Sequence, residues 1–247
     1  MPPETNVTLG EAVGNFPLRF AKAVMFGEGP SREAQSKINS ATASLLQLEC
    51  GPVAVTCRHV LEAYRERLKG GETCLFQIGG CRIDPSTQCI SESQEADLAV
   101  LALTQEQSGR IVQGGWIGSQ FFSPVAWPPK RVAGGEDVVF GGFPGQWQVT
   151  LDYDYLEFAS HGQGSRVSDV GFVSFICECR REFWVNTSRL RDVDSLTNLG
   201  GISGGPAFVW RGLHWDFAGV VREYSQDNHV VLIAHGGLIG ANGIIDL

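Results

Sequence analysis

The chain has 247 residues, 43% of them hydrophobic and 19% charged, with 19 Lys and Arg against 27 Asp and Glu and a formal charge of −8 at pH 7. That length suits one or two compact units with an ample core. The acidic balance argues against nucleic acid or an anionic membrane surface as a partner, and it allows a cationic protein or peptide.

No apolar run is long enough to span a bilayer, and no apolar leader segment follows Met1-Pro2-Pro3-Glu4. The seven cysteines are an odd number, and Cys177 and Cys179 lie two apart in an apparent strand, on one face, where they pair poorly. Reduced thiols and a cytoplasmic location are therefore expected.

Residues 1–17 read as a polar arm with a helical turn around Leu9–Val13. Strands are predicted at Phe20–Phe26, Ser44–Glu49 and Val53–Thr56. From His59 to Lys69 the apolar residues Val60, Leu61, Tyr64 and Leu68 have the spacing of an amphipathic helix. Further strands are expected at Cys74–Ile78 and Asp97–Leu103, then a short helix over Thr104–Val112. Pro124, Pro128, Pro129 and Gly134-Gly135 punctuate the chain, so residues 123–136 read as a linker between units at 18–122 and 137–247. The second unit takes strands at Val138–Phe143, Trp147–Phe158, Val170–Cys179, Gly205–Trp210, Trp215–Arg222 and Val230–His235. Short strands separated by turns fit small closed barrels better than a βαβ pattern. Trp116, Phe121, Phe122 and Trp127 read as core and linker packing, and His161, in Ser160-His161-Gly162, as an exposed loop residue.

Three segments carry chemistry: Val55-Thr56-Cys57-Arg58-His59-Val60, Glu95-Ala96-Asp97-Leu98-Ala99-Val100-Leu101 and Gly200-Gly201-Ile202-Ser203-Gly204-Gly205-Pro206. A serine hydroxyl is a weak nucleophile until an adjacent base takes its proton. His59 suits that role, because imidazole titrates near neutrality. Asp97 would fix the imidazole tautomer and stabilise the imidazolium, and His, Asp, Ser is a known chain order for such a triad. The glycines around Ser203 permit a turn that aims the N–H groups of Gly201 and Ser203 at a developing oxyanion.

These motifs resemble those of the trypsin/chymotrypsin-like serine peptidases, nearest to the bacterial HtrA-like branch without its PDZ domain. The resemblance implies an all-β fold of two six-stranded antiparallel β-barrels with short helices. It also implies an endopeptidase acting through an acyl-enzyme, with His59, Asp97 and Ser203 catalytic, Gly201 and Ser203 forming the oxyanion hole, and no metal or cofactor. The chain departs from the family at Ile202, where the animal enzymes carry the Asp that pairs with a new N-terminus. The cysteine that follows the histidine in those enzymes is here Val60. Without that ion pair the loop Arg189–Gly200 must be ordered in another way, by a partner protein or ligand, so latency is an expectation.

By the same resemblance, Thr197 and Asn198 fall at the base of the primary pocket, and a pocket without a carboxylate there does not favour cleavage after Lys or Arg. Val221, Arg222 and Glu223 lie on the stretch Val220–Tyr224 that would pair with substrate backbone. Glu223 could turn inward, and His235 could reach the pocket wall. Two rivals remain. One is a peptidase fold that holds an extended peptide without cutting it. The other is an α/β-hydrolase esterase, since Gly201-Ile202-Ser203-Gly204-Gly205 satisfies G-x-S-x-G, although only about 44 residues follow Ser203.

Overall fold

A computed structural model of the chain describes residues 9–27, 38–113, 118–152, 155–188 and 190–247. Expectations that fall on residues 1–8, Trp116 and Arg189 lie outside the described residues.

The chain opens with helix α1 (Leu9–Asn15) and a 3-10 turn at Pro17–Phe20. Strands β1 (Ala21–Gly27), β2 (Asn39–Leu48) and β3 (Gly51–Cys57) then lead into helix α2 (Arg58–Lys69). Next come β4 (Leu75–Ile78), β5 (Cys81–Ile83), helix α3 (Pro85–Gln88), β6 (Cys89–Ser93), β7 (Leu98–Ala102) and helix α4 (Gln105–Val112). These strands form a 7-stranded antiparallel sheet in the order β5-β4-β1-β2-β3-β7-β6.

The second half carries β8 (Asp137–Gly142), the hairpin β9 (Gln148–Asp152) and β10 (Tyr155–Phe158), β11 (His161–Val170) and β12 (Ser174–Glu178). It ends with β13 (Pro206–Trp210), β14 (Trp215–Ser225) and β15 (Val230–His235). β11-β12-β15-β14-β13-β8 close into a barrel, with the β9–β10 hairpin outside it. Every pairing between these strands is antiparallel, which is incompatible with the parallel sheet of an α/β-hydrolase. No helix among the described residues is long and apolar enough to cross a membrane.

The architecture is therefore all-β, with two barrel-like sheets. The second is the closed barrel expected from the sequence. The first has seven strands, and no pairing joins its end strands β5 and β6. Both end strands escape the sequence pattern for a physical reason: β5 is only three residues long, and Ile90 of β6 is exposed among polar neighbours. His161, expected in a loop, opens strand β11. Gly162 permits a close approach, since a Cβ there would sit 2.0 Å from the Gly14 carbonyl oxygen of α1. The predicted strand Trp147–Phe158 is the β9–β10 hairpin.

Side-chain alternation along β2 separates two tasks. Ala41, Ala43 and Leu45 enter the core of the first sheet with Leu61 and Tyr64 of α2, while Thr42 and Ser44 point to the seam between the halves. A third apolar cluster spans the seam, joining Phe20, Leu46, Val55 and Leu98 to Phe208, Phe217 and Val220. Its aromatic contacts include Phe122 with Phe208 at 4.9 Å and Phe20 with Phe208 at 5.2 Å. Burial of this kind is the main favourable term holding two units together, and it brings the three motif segments to one place.

Candidate active site

α2 begins directly after β3, so His59 stands on the first turn of a helix whose N-cap, Cys57, offers no side-chain capping bond. The unpaired N–H groups of that turn need an acceptor from elsewhere. Asp97 supplies it from the residue before β7. Its carbonyl accepts from Arg58 N–H at 3.1 Å and its Oδ1 from His59 N–H at 3.0 Å. Asp97 has φ +51°, a left-handed conformation that Asp tolerates better than most residues. Its Oδ2 lies 2.8 Å from His59 Nδ1. One carboxylate thus caps the helix and orients the imidazole. The His59 side chain is half exposed, and that of Asp97 is 21% exposed.

Ser203 occupies the turn that leads into β13. All five carbonyls from 200 to 204 are hydrogen-bonded. Gly200 accepts from Gly145 N–H (2.7 Å), Gly201 from Thr42 Oγ1 (2.8 Å), Ile202 from Gly205 N–H (2.8 Å), Ser203 from Thr42 N–H (2.9 Å) and Gly204 from Ser44 Oγ (2.8 Å). Among the amides, Gly200 donates to Asn198 Oδ1, Ile202 to Leu199, Gly204 to Val221 and Gly205 to Ile202. Among the described residues no acceptor takes the N–H of Gly201 or Ser203. Because the peptide before Gly201 is trans, the Gly200 carbonyl held by Gly145 turns the Gly201 N–H to the opposite side.

Three glycines of this turn cannot be replaced without a clash, Gly205 among them, whose Cβ would run into the Gly141 carbonyl oxygen. Gly201 has φ +100°, and a Cβ there would meet Gly145 N at 2.5 Å. Gly204 has φ +93°, and its Cβ would fall 1.8 Å from the Thr42 carbonyl oxygen. Ile202 is 1% exposed and sits in the second core with Leu196 and Leu199. Apolar burial anchors the turn where an ion pair would otherwise do so.

His59, Asp97 and Ser203 line one cavity of about 300 Å³, together with Leu199, Gly200, Arg222, Glu223 and Tyr224. Of the residues expected to bind substrate, Arg222 and Glu223 line this cavity; Tyr224 and Gly200 belong to segments named from the sequence, and Leu199 was not anticipated. Thr197 and Asn198 do not line the cavity. Gln146 Oε1 accepts from both their N–H groups, at 2.9 and 3.2 Å, and from Thr197 Oγ1 at 3.0 Å. Val221 is fully buried, with its N–H and carbonyl taken by Gly205 and Gly204, so it has nothing to offer a ligand. His235 is 1% exposed and bonds the Gly171 carbonyl through Nε2 at 3.1 Å, so it does not reach the cavity wall. His161, expected on the surface, is also 1% exposed, within β11.

Residues 190–200 hold their order through contacts within the chain. Asp192 caps the 3-10 turn Val193–Ser195, Leu196 and Leu199 are fully buried, and Gln146 clips both ends of the 195–198 stretch, its Nε2 donating to the Ser195 carbonyl at 2.9 Å. Long-range clips by an exposed glutamine leave no pattern in the sequence.

Cys57 Sγ, His59 and Asp97 bring three potential metal-ligand atoms within 4.8 Å of one another. The Cys57 thiol donates to the Val221 carbonyl at 3.2 Å, and burial, reinforced by the Asp97 carboxylate, pushes its pKa well up. It keeps its proton and is a poor thiolate ligand.

No family model matches the chain, and no curated protein matches it. Among solved structures it is similar to a mutant of the Tobacco Etch Virus protease, with 9% identity over 90% of this chain and 75% of that one and a TM-score of 0.47. A thermostable serine protease, AL20, from an extremophilic microorganism is 12% identical over 88% and 91% of the two chains, with a TM-score of 0.44. A third structure, from work on the disordered Sesbania mosaic virus VPg protein, gives 12%, 89% and 87%, and 0.47. At such scores nothing is carried over from these proteins to this chain.

Proposed function

We propose that the chain is a serine endopeptidase of the chymotrypsin-like kind, with residues 18–122 and 137–247 as its two units and 123–136 as the linker. The observation that carries this reading is the Ser203 turn. Every carbonyl in it is occupied, while the two N–H groups left without an acceptor are those of Gly201 and Ser203, beside a His59–Asp97 pair at 2.8 Å. Two preorganised donors next to a nucleophile are what a tetrahedral oxyanion requires. A peptide backbone also has a place to bind. β13 pairs with β14 only as far as Val220, and Gly204 and Gly205 extend that to Val221, so one edge of residues 222–225 is unpaired among the described residues and open to an added strand.

In the mechanism, His59 takes the Ser203 proton as the hydroxyl oxygen attacks the scissile carbonyl carbon, and the oxyanion settles on the N–H groups of Gly201 and Ser203. The imidazolium, stabilised by Asp97, protonates the leaving amine as the C–N bond breaks. Water then gives a proton to His59, attacks the acyl carbon, and frees the acid product and Ser203. The chain's own residues suffice, with no cofactor. The proposed substrate is a protein or peptide, and free cysteines, most of them buried, favour a reducing compartment such as the cytoplasm.

A fluorophosphonate probe read by intact mass tests the reading, with Ser203→Ala as control. Stoichiometric labelling lost in the variant supports an assembled site. A folded wild-type protein that takes no label overturns the enzyme and favours a module that holds an extended peptide uncut.

A further inference from the structure

We infer that Arg222 selects substrates with an acidic side chain on the residue whose carbonyl is attacked, an inference that rests on the peptidase reading for its position in the substrate. The register between β14 and β15 shifts at this point: Val221 pairs with Ile233 and Glu223 with Leu232, leaving Arg222 as the extra residue of a β-bulge. Bulges re-aim side chains and are frequent beside active sites. Here the bulge lets consecutive residues, Arg222, Glu223 and Tyr224, all line the cavity that holds Ser203 and His59.

The two charged residues among them differ in solvation. Arg222 is partly exposed, yet its Nε is shut off from solvent and has no hydrogen-bond acceptor among the described residues. Among the described residues Arg222 forms no ion pair with Glu223 or Asp97, whose carboxylate is engaged by His59. Glu223 is exposed at the rim. A buried donor without an acceptor carries a desolvation penalty that an incoming acceptor removes, whereas an exposed carboxylate already has water and gains little from a cation. A guanidinium is also the side chain best matched to a carboxylate, through paired N–H donors. The side chain of the acylating residue is attached to the carbon next to the one Ser203 attacks, so it must lie in the same cavity. That places the carboxylate of a Glu or Asp at this position within reach of Arg222.

The test uses fluorogenic peptides that differ only in the acylating residue, Glu, Gln, Lys or Leu. They are run against the wild-type protein, Arg222→Gln and Arg222→Lys. A charge-assisted hydrogen bond predicts kcat/KM for Glu about 10- to 100-fold above Gln in the wild type. The Glu:Gln ratio should fall to within about threefold in Arg222→Gln and recover in part in Arg222→Lys. A merely structural role for Arg222 would lower all four peptides together and leave the ratio intact. Equal cleavage of Glu and Gln, a preference for Lys, or a ratio unmoved by Arg222→Gln overturns the inference.

Binding of the same peptides, uncut, to Ser203→Ala by fluorescence polarisation separates this result from the fate of the enzyme reading. Tighter binding of the Glu peptide that disappears in Ser203→Ala/Arg222→Gln upholds Arg222 even if no fluorophosphonate label is taken. Equal binding of Glu and Gln peptides defeats it even if labelling is complete.

Discussion

His161 ties the stability of the second barrel to pH. Its ring lies 1% exposed between Trp147 and Trp184, with centroid separations of 6.0 and 5.5 Å. Burial lowers its pKa from 6.5 to about 4, partly opposed by the hydrogen bond to Gln163. Among the described residues no charge offsets protonation: Gln163 passes the network to Cys179, whose thiol is itself pushed up to about 12 by burial. In the unfolded chain the imidazole binds its proton near pH 6.5, and in the folded chain only near pH 4. Between those values the unfolded state holds more protons, so stability falls as the pH falls. The loss by pH 4 is about 3 kcal/mol, a large share of a typical domain's net stability. His161→Phe keeps an aromatic ring between the two tryptophans and removes the titration. Urea denaturation of both proteins from pH 7 to pH 4 provides the measurement. The wild type should lose about 3 kcal/mol relative to the variant across that window. Parallel pH profiles, agreeing within about 0.5 kcal/mol after a constant offset, would refute a neutral, desolvated His161.

Asp97→Asn should slow turnover and probe labelling by about 10⁴-fold: the amide oxygen must stay on the His59 N–H, so the amide NH₂ faces Nδ1 and forces the proton to Nε2, where it blocks acceptance from Ser203. A rate within tenfold of wild type in stopped-flow labelling would exclude Asp97 as the orienting group. Thr42→Val strips the acceptor from Phe143 N–H (3.0 Å) and the donor from the Gly201 carbonyl (2.8 Å), both at the seam, and should cost about 2–3 kcal/mol in urea denaturation. Ile202→Asp places a carboxylate where the side chain is 1% exposed in an apolar core, and should destabilise by more than about 3 kcal/mol; an unchanged denaturation midpoint would mean that apolar burial does not anchor the turn.

What the sequence made legible was local chemistry. His59 at a strand-to-helix junction, Asp97 before an apolar strand and Ser203 among glycines each carry their own context within a few residues, and the structure brings the three to one cavity. The residues that tune the site act through distance. Gln146 reaches across 51 positions to Thr197, and Thr42 across 159 to Gly201, and no local period encodes either contact. The histidines show the opposite failure. His161 follows a serine and precedes a glycine, a surface pattern locally, yet the close approach of α1 at Gly14 and Gly162 and the packing of Trp184 bury it. His235 looked free to reach a pocket, but its strand β15 pairs on both sides within the barrel. Val221 looked like a binding edge because a strand's alternation does not reveal that the nucleophile turn itself folds back on that residue.

The division of labour across the seam has a consequence for how the site forms. The nucleophile turn belongs by sequence to the second barrel, yet three of its five carbonyls are held by Thr42 and Ser44 of β2 in the first sheet. Thr42 in turn is fixed by Thr56 Oγ1, which donates to its carbonyl at 2.8 Å from β3, the strand that delivers His59. One hydrogen-bond network therefore runs from the Ser203 turn to the strand that precedes His59, and neither half alone contains it. A second barrel separated from the first would lose the bonds to the carbonyls of Gly201, Ser203 and Gly204, while the peptide planes that carry the Gly201 and Ser203 N–H groups stay fixed within the second half, through Gly145 on the Gly200 carbonyl and Gly205 on the Ile202 carbonyl. What the docked sheets set is the position of the whole turn relative to His59, so under the proposed reading the apolar cluster around Phe122, Phe208 and Phe217 matters for the site although it touches none of its residues.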